Sequence, residues 1–163
     1  MGIQSQRGSS LIEVMVALFV LAIGLLGMLA MQSKAMQYNQ SAYAYSQAAY
    51  LATDMAERIQ SNAANAADYI EAAAIDPQGG DLSNFDPYAA GTDCRDAACN
   101  AATLTARDQL VWATNIKRYL PGGKGEIEGV TYAGNSFIRI TVSFADDKYK
   151  EAQAGTYSLL VEI

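Results

Sequence analysis

The sequence predicts an α+β chain in which one long N-terminal helix is laid on a small antiparallel sheet. Three observations carry that reading. An apolar run from Val14 to Met31 passes directly into a stretch, Gln32 to Asn62, that holds neither proline nor glycine. A proline- and glycine-rich middle, with Asp76-Pro77-Gln78-Gly79-Gly80, Asp86-Pro87 and Ala90-Gly91-Thr92, then breaks the helical pattern. Near the C-terminus apolar residues alternate with polar ones at the period of two that a half-buried strand requires.

Composition narrows the function classes. A chain of 163 residues, 51% hydrophobic and 17% charged, builds one compact domain with an appendage and leaves no room for two large domains. Its net charge of −6 repels a phosphate backbone, so direct nucleic-acid binding is not expected. Histidine is absent. The commonest general base, the commonest transition-metal ligand and the Ser-His and Cys-His nucleophile pairs are therefore unavailable. No phosphate-binding glycine loop, nucleophile elbow or spaced carboxylate pair is present, so the chain is not expected to be an enzyme or to need a cofactor.

The first element is a membrane-length helix. Val14 to Met31 carries no charge, and with Leu11 to Glu13 it covers roughly the 30 Å of a bilayer's hydrocarbon at about 1.5 Å per residue. A short leader, residues 1–8, precedes it with Arg7 as its one charged side chain. The run exceeds the apolar core of an ordinary secretory signal, and Leu29-Ala30-Met31 makes a poor small-x-small cleavage site. Glu13 lies inside the apolar stretch. At a bilayer centre a carboxylate costs about 2.5 to 3.5 kcal/mol and needs a partner; at the headgroup level it needs none. Gly24 and Gly27 either allow close helix approach or are incidental, since Gly-x-x-Gly is a weak signal.

Gly8-Ser9-Ser10-Leu11-Ile12-Glu13-Val14, behind a leader with one basic residue and leading straight into the apolar run, resembles the type III signal of type IV pilins and type II secretion pseudopilins. The resemblance implies cleavage after Gly8 by a membrane prepilin peptidase and N-methylation of the new terminal residue, Ser9. The family most often has phenylalanine at that first position, where this chain has serine. Its glutamate at the fifth mature position falls on Glu13. Cleavage frees an α-amine with a pKa near 8, and staggered side-by-side subunits can then pair the Glu13 carboxylate of one with the terminal ammonium of the next. Loss of the leader removes Arg7, moving the side-chain balance from −6 to −7 while adding that one positive amine.

Beyond the membrane run the helix is expected to continue to about Ser61, some 80 Å from Ser9 at the usual rise. Tyr45, Ala48, Leu51, Ala52, Met55 and Ile59 follow the 3/4 spacing of a buried face, with Gln47, Asp54, Glu57 and Arg58 mostly elsewhere. The tyrosines from Tyr38 to Tyr88 suit either a boundary between apolar core and wet rim or an aromatic binding face. The blocks Tyr38-Asn39-Gln40-Ser41-Ala42-Tyr43 and Ala52-Thr53-Asp54-Met55-Ala56-Glu57-Arg58-Ile59, with the later Leu120-Pro121-Gly122-Gly123, look like minor pilins of the PilV type. On this reading residues 1–8 are the leader, 9–31 the transmembrane and pilus-core half of the helix, 32–62 its amphipathic half, and 63–163 a periplasmic α+β domain.

In that domain Ala63 to Ala74 either prolongs the helix or restarts it after Asn65. Cys94 and Cys99 follow in the irregular middle. An exported chain meets an oxidising compartment, where a disulfide is the simplest state; free thiols, or a redox or metal pair, are the alternatives. Thr103 to Leu120 reads as a second helix, capped by Thr103 or Thr105, stopped by Pro121, with Trp112 as core anchor or ligand platform. Gly125–Tyr132, Ser136–Phe144 and Thr156–Ile163 read as three strands of a meander turning at Ala133-Gly134-Asn135. Ile138, Ile140, Val142 and Phe144 point one way, and Tyr157, Leu159, Val161 and Ile163 repeat the pattern. Asp76, Asp81, Asp86, Asp93, Asp96 and Asp146-Asp147 are oxygen ligands of the kind some pseudopilins offer calcium, but D-x-D-x-D-G spacing is absent, so solvated loop charge is the reading and no metal is expected.

The resemblance implies a minor pilin, held in the inner membrane with its C-terminal domain in the periplasm and then drawn into a pilus or its tip complex. Its implied partners are other minor and major pilins, prepilin peptidase, the inner-membrane assembly machinery and a tip adhesin, and its implied roles are pilus biogenesis, twitching motility, adhesion and DNA uptake. A minor pseudopilin of type II secretion shares every feature of the signal. A membrane-anchored periplasmic enzyme or receptor with an uncleaved helix is the reading from another class.

Overall fold

The computed structural model describes residues 9–71, 99–145 and 154–162. It contains a 53-residue helix α1 (Ser9–Ser61), a 3-10 turn (Ala63–Asn65), helices α2 (Ala66–Glu71) and α3 (Ala101–Tyr119), and strands β1 (Lys124–Tyr132), β2 (Asn135–Ala145) and β3 (Ala154–Glu162). Two compact units divide the chain, Met1–Gln40 and Ser41–Ile163, and α1 contributes to both. The second unit is α+β: the last turns of α1 pack on a three-stranded antiparallel sheet of order β1-β2-β3.

α1 has no internal breaker apart from Gly24 and Gly27, and its alanines, leucines, methionines and glutamines are strong helix formers. In the second unit its buried stripe is Ala48, Leu51, Ala52, Met55, Ala56 and Ile59. Tyr45 departs from expectation. It is 39% exposed and meets the core only through its ring, edge-on to Phe144 with centroids 5.0 Å apart. Tyr38, Tyr43 and Tyr50 are exposed as well, whereas Tyr69 lies wholly in the core with its hydroxyl donating to the buried Asp108 carboxylate.

The helix ends at Ser61 and restarts after Asn65, where the Asn65 amide donates to the Asn62 carbonyl and its side chain to Asn62 Oδ1. α3 begins two residues before the expected start. Its cap is Asn100 rather than a threonine: Asn100 Oδ1 accepts from the Thr103 amide at 2.8 Å, and Thr105 instead donates its hydroxyl to the Ala101 carbonyl inside the helix. Pro121 stops α3 as expected. A turn follows in which the Gly123 amide donates to the Leu120 carbonyl and Gly122 sits at φ +59°, the position glycine fills in a type II turn.

Trp112 is a core anchor. It is wholly buried, and its indole N–H donates to the Leu51 carbonyl at 2.8 Å, tying α3 to α1. The sheet alternates as its sequence demands, with Ile138, Ile140, Val142 and Phe144 buried and Arg139, Thr141 and Ser143 on the other face. Ala133 and Gly134 form the two-residue loop between β1 and β2, both at positive φ, +51° and +86°, as the twist of a primed hairpin turn requires.

Candidate functional site

The expected processing and assembly residues lie at the head of α1. Gly8 lies outside the described residues. Ser9 opens α1, and Glu13 follows one helical turn later on an exposed position. Glu13 is the one charged residue between Ser9 and Ser33. Around it the helix is apolar on every side: each large hydrophobic residue from Leu11 to Met31 is 54–77% exposed, with no inward and outward face to distinguish them. A helix of that kind is stable only when lipid or other apolar helices surround it. α1 is long and apolar enough to cross a membrane. At Gly24 and Gly27 an added Cβ would meet nothing within 4 Å, so neither glycine is required by packing within the chain.

A cut between residues 8 and 9 would put a cationic amine at the start of this helix and a carboxylate one turn along it. Neither charge has an apolar-phase counterpart on its own segment except the other. In a low-dielectric bundle, opposite charges on adjacent chains attract far more strongly than in water, which gives such a pair the capacity to set register between chains.

A second polar cluster, in the folded unit, was not foreseen. Asp108 is 4% exposed on the core side of α3, and its carboxylate accepts from Arg58 Nη1 at 2.8 Å and from the Tyr69 hydroxyl at 2.9 Å. Arg58 also donates from Nε to Asp54 at 3.0 Å, so one guanidinium joins two carboxylates. Burial alone would lower the Arg58 pKa, but its bonds and attraction to Asp54 and Asp108 outweigh that and hold it above the usual arginine value. Burial pushes the Tyr69 pKa up, and the adjoining Asp108 charge adds to the rise. Through these bonds the cluster ties α1, α2 and α3 together. Asp108 lies four residues before Trp112, one turn along the same face, and that spacing is the signal that would have found it.

Cys99 is half-buried immediately ahead of α3, and Cys94 lies outside the described residues. So do Asp76, Asp81, Asp86, Asp93, Asp96, Asp146 and Asp147. Among the described residues no group of three or more Cys, Asp or Glu side chains is placed to hold a metal ion.

Residues 3–29 match the family model described as the prokaryotic N-terminal methylation motif. That span takes in Gly8, Ser9, Glu13 and most of the apolar run, and the motif is the prepilin-type signal shared by type IV pilins and pseudopilins. It implies processing by prepilin peptidase and assembly with other pilins. Comparison with curated proteins and with solved structures gives no match. With that signal leading into an exposed apolar helix whose far end covers a three-stranded antiparallel sheet, the chain carries a prepilin-type N-terminus on a pilin-like α+β arrangement.

Proposed function

We propose that this chain is a minor pilin, cut after Gly8, N-methylated at Ser9 and incorporated in a type IV pilus or its tip or priming complex. The observation that carries the reading is the continuity of a prepilin-type signal with a helix exposed and apolar on all sides. Such a helix gains by leaving lipid for a bundle of like helices, and the Glu13 carboxylate meets a neighbour's terminal ammonium there. The work is polymerisation rather than catalysis. The domain faces the periplasm before extraction, and other minor and major pilins, the inner-membrane machinery and a tip adhesin are the partners. Pilus biogenesis, twitching motility, adhesion and DNA uptake are the processes served. A Cys94–Cys99 disulfide closes a short loop ahead of α3, a reading supported by the disulfide-bonded state of Cys99.

Intact-mass measurement of the membrane-extracted chain tests the processing: the proposal requires an N-terminus at Ser9, and one retained at Met1 favours an anchored enzyme or receptor. For assembly, Glu13→Ala is expected to insert in the membrane and fail to enter sheared pili, and normal incorporation refutes the role given to Glu13. Deleting the gene and scoring surface pili beside exoprotein secretion separates the pilus from the type II secretion machine, since loss of secretion with pili intact assigns a pseudopilin.

A further inference from the structure

The two edges of the sheet are built differently. β1 carries charge along its length at Lys124, Glu126 and Glu128, and α2 and α3 pack against it. β3 reads Ala-Gly-Thr-Tyr-Ser-Leu-Leu-Val-Glu: one charge, at its last position, and no proline. Its pairing with β2 runs unbroken from Ala154↔Ala145 to Glu162↔Phe137, without a bulge. Among the described residues β3 has no strand on its other side. Natural sheets guard such edges with charge, proline, bulges or a covering element, because a straight, neutral edge is a template for another strand. The side chains beside this edge are also incompletely covered. Tyr157 and Leu159 on the core face are half-buried, and Leu160 on the outer face is 57% exposed.

We infer that β3 pairs edge to edge with β3 of a second copy of this chain, antiparallel and related by a two-fold axis. Strand length chooses the register: full overlap of Ala154–Glu162 with itself is centred on Ser158. In that register Tyr157 of each copy lies opposite Leu159 of the other, Thr156 opposite Leu160, Gly155 opposite Val161 and Ala154 opposite Glu162. The aromatic–aliphatic pairs form twice, by symmetry, and cover the two residues left half-buried in one copy. No like charges oppose each other. Each chain carries −6, so two copies meet with least repulsion along a segment that is neutral over eight of its nine residues. A two-fold contact of this sort closes on itself, joining chains in pairs without propagating. It is therefore separate from the head-to-tail assembly of a fibre, and it depends neither on the processing at Gly8 nor on the pilus.

Cysteine cross-linking of the full chain in the membranes that hold it tests the contact. The unsubstituted chain, with only Cys94 and Cys99, is the baseline. Directly opposed residues place their Cβ atoms about 5 Å apart, within reach of a disulfide. Ser158→Cys is expected to shift to dimer mass on mild oxidation. Thr156→Cys and Leu160→Cys, each about 13 Å along the strand from its own copy, are expected to stay monomeric alone and to form the dimer when co-expressed. All three positions are on the exposed outer face, so the substitutions leave the core intact. Failure of Ser158→Cys to dimerise overturns the proposal. So does equal dimerisation of all three single variants, which means parallel or collisional contact. A cross-linked product of mixed mass shows that a different chain occupies the edge, and also overturns it.

Discussion

Asp108→Ala is the sharpest probe of how the folded unit is held. The carboxylate, with its side chain 6% exposed, serves Arg58 at 2.8 Å and Tyr69 at 2.9 Å. Removing one partner of a fully buried ion pair costs about 3–5 kcal/mol, most of it the desolvation of the charge left behind. Arg58 is 26% exposed and keeps Asp54 at 3.0 Å, which reduces its share to about 1–2 kcal/mol. The Tyr69 hydroxyl, on a residue with no exposed surface, loses its acceptor and adds about 1–2 kcal/mol. The expected loss is about 2–4 kcal/mol, a fall in Tm of about 10 °C for a domain of this size. Trp112 is the only tryptophan and is wholly buried beside the cluster, so thermal unfolding in detergent micelles can be followed by its fluorescence alone. Asp54→Ala removes a part-buried i,i+4 pair while leaving the Arg58–Asp108 bond in place, and is expected to cost about 0.5–1 kcal/mol. If Asp108→Ala falls within about 0.5 kcal/mol of the parent, the cluster does not fix the helices and the reasoning fails.

Tyr69 adds a pH signature. Its pKa is raised in the folded state, so the unfolded chain loses the phenolic proton first; the stability it contributes is whole below about pH 10 and declines as pH rises through the folded value. Tyr69→Phe is expected to flatten that alkaline decline in a urea-unfolding series, at a cost of about 1 kcal/mol at neutral pH. A Cβ on Gly125 would stand 2.4 Å from two Trp112 ring carbons, so Gly125→Ala is expected to destabilise by about 1–3 kcal/mol and shift the tryptophan emission to the red. Ala133→Asn, at φ +51° ahead of Gly134, is expected to raise stability by about 0.5–1 kcal/mol, measured as a higher unfolding midpoint with an unchanged slope.

Much of the fold was legible because its signals are local. Pro121 ends α3 through a missing donor, Ala133-Gly134 bends the hairpin through backbone torsion, and the alternation from Ile138 to Phe144 follows the pleat; each acts within a few residues of itself. After Ser61 the sequence allowed either a continued helix or a restart past Asn65, and the structure has the restart. Misreadings arose where a local pattern allowed more than one outcome. Thr103 and Thr105 are acceptable caps, yet Asn100 takes the role because its side chain reaches the Thr103 amide from the turn before. Tyr45 keeps the spacing of the buried stripe but falls where the sheet ends, and only its ring reaches Phe144. Among the candidate site residues, the motif assigned Ser9 and Glu13 to one turn of a helix, and the structure added that the surrounding apolar surface is uncovered on every side.

By itself the sequence determined the parts whose physics is one-dimensional. These are a signal read as a string, an apolar run long enough for a bilayer, breakers that end helices, and strands of period two. Tertiary structure alone decided the meetings of residues far apart in the chain. Arg58 and Asp108 are 50 positions apart, and Trp112 reaches a carbonyl 61 positions away, because an apolar face specifies only that something must cover it. Which side chain lies opposite, whether a buried charge finds its partner there, and where a glycine must yield room to a ring are settled when helix and sheet close on each other at fixed distance. The unequal edges of the sheet belong to the same class: strand order comes from pairing, and no single strand carries it.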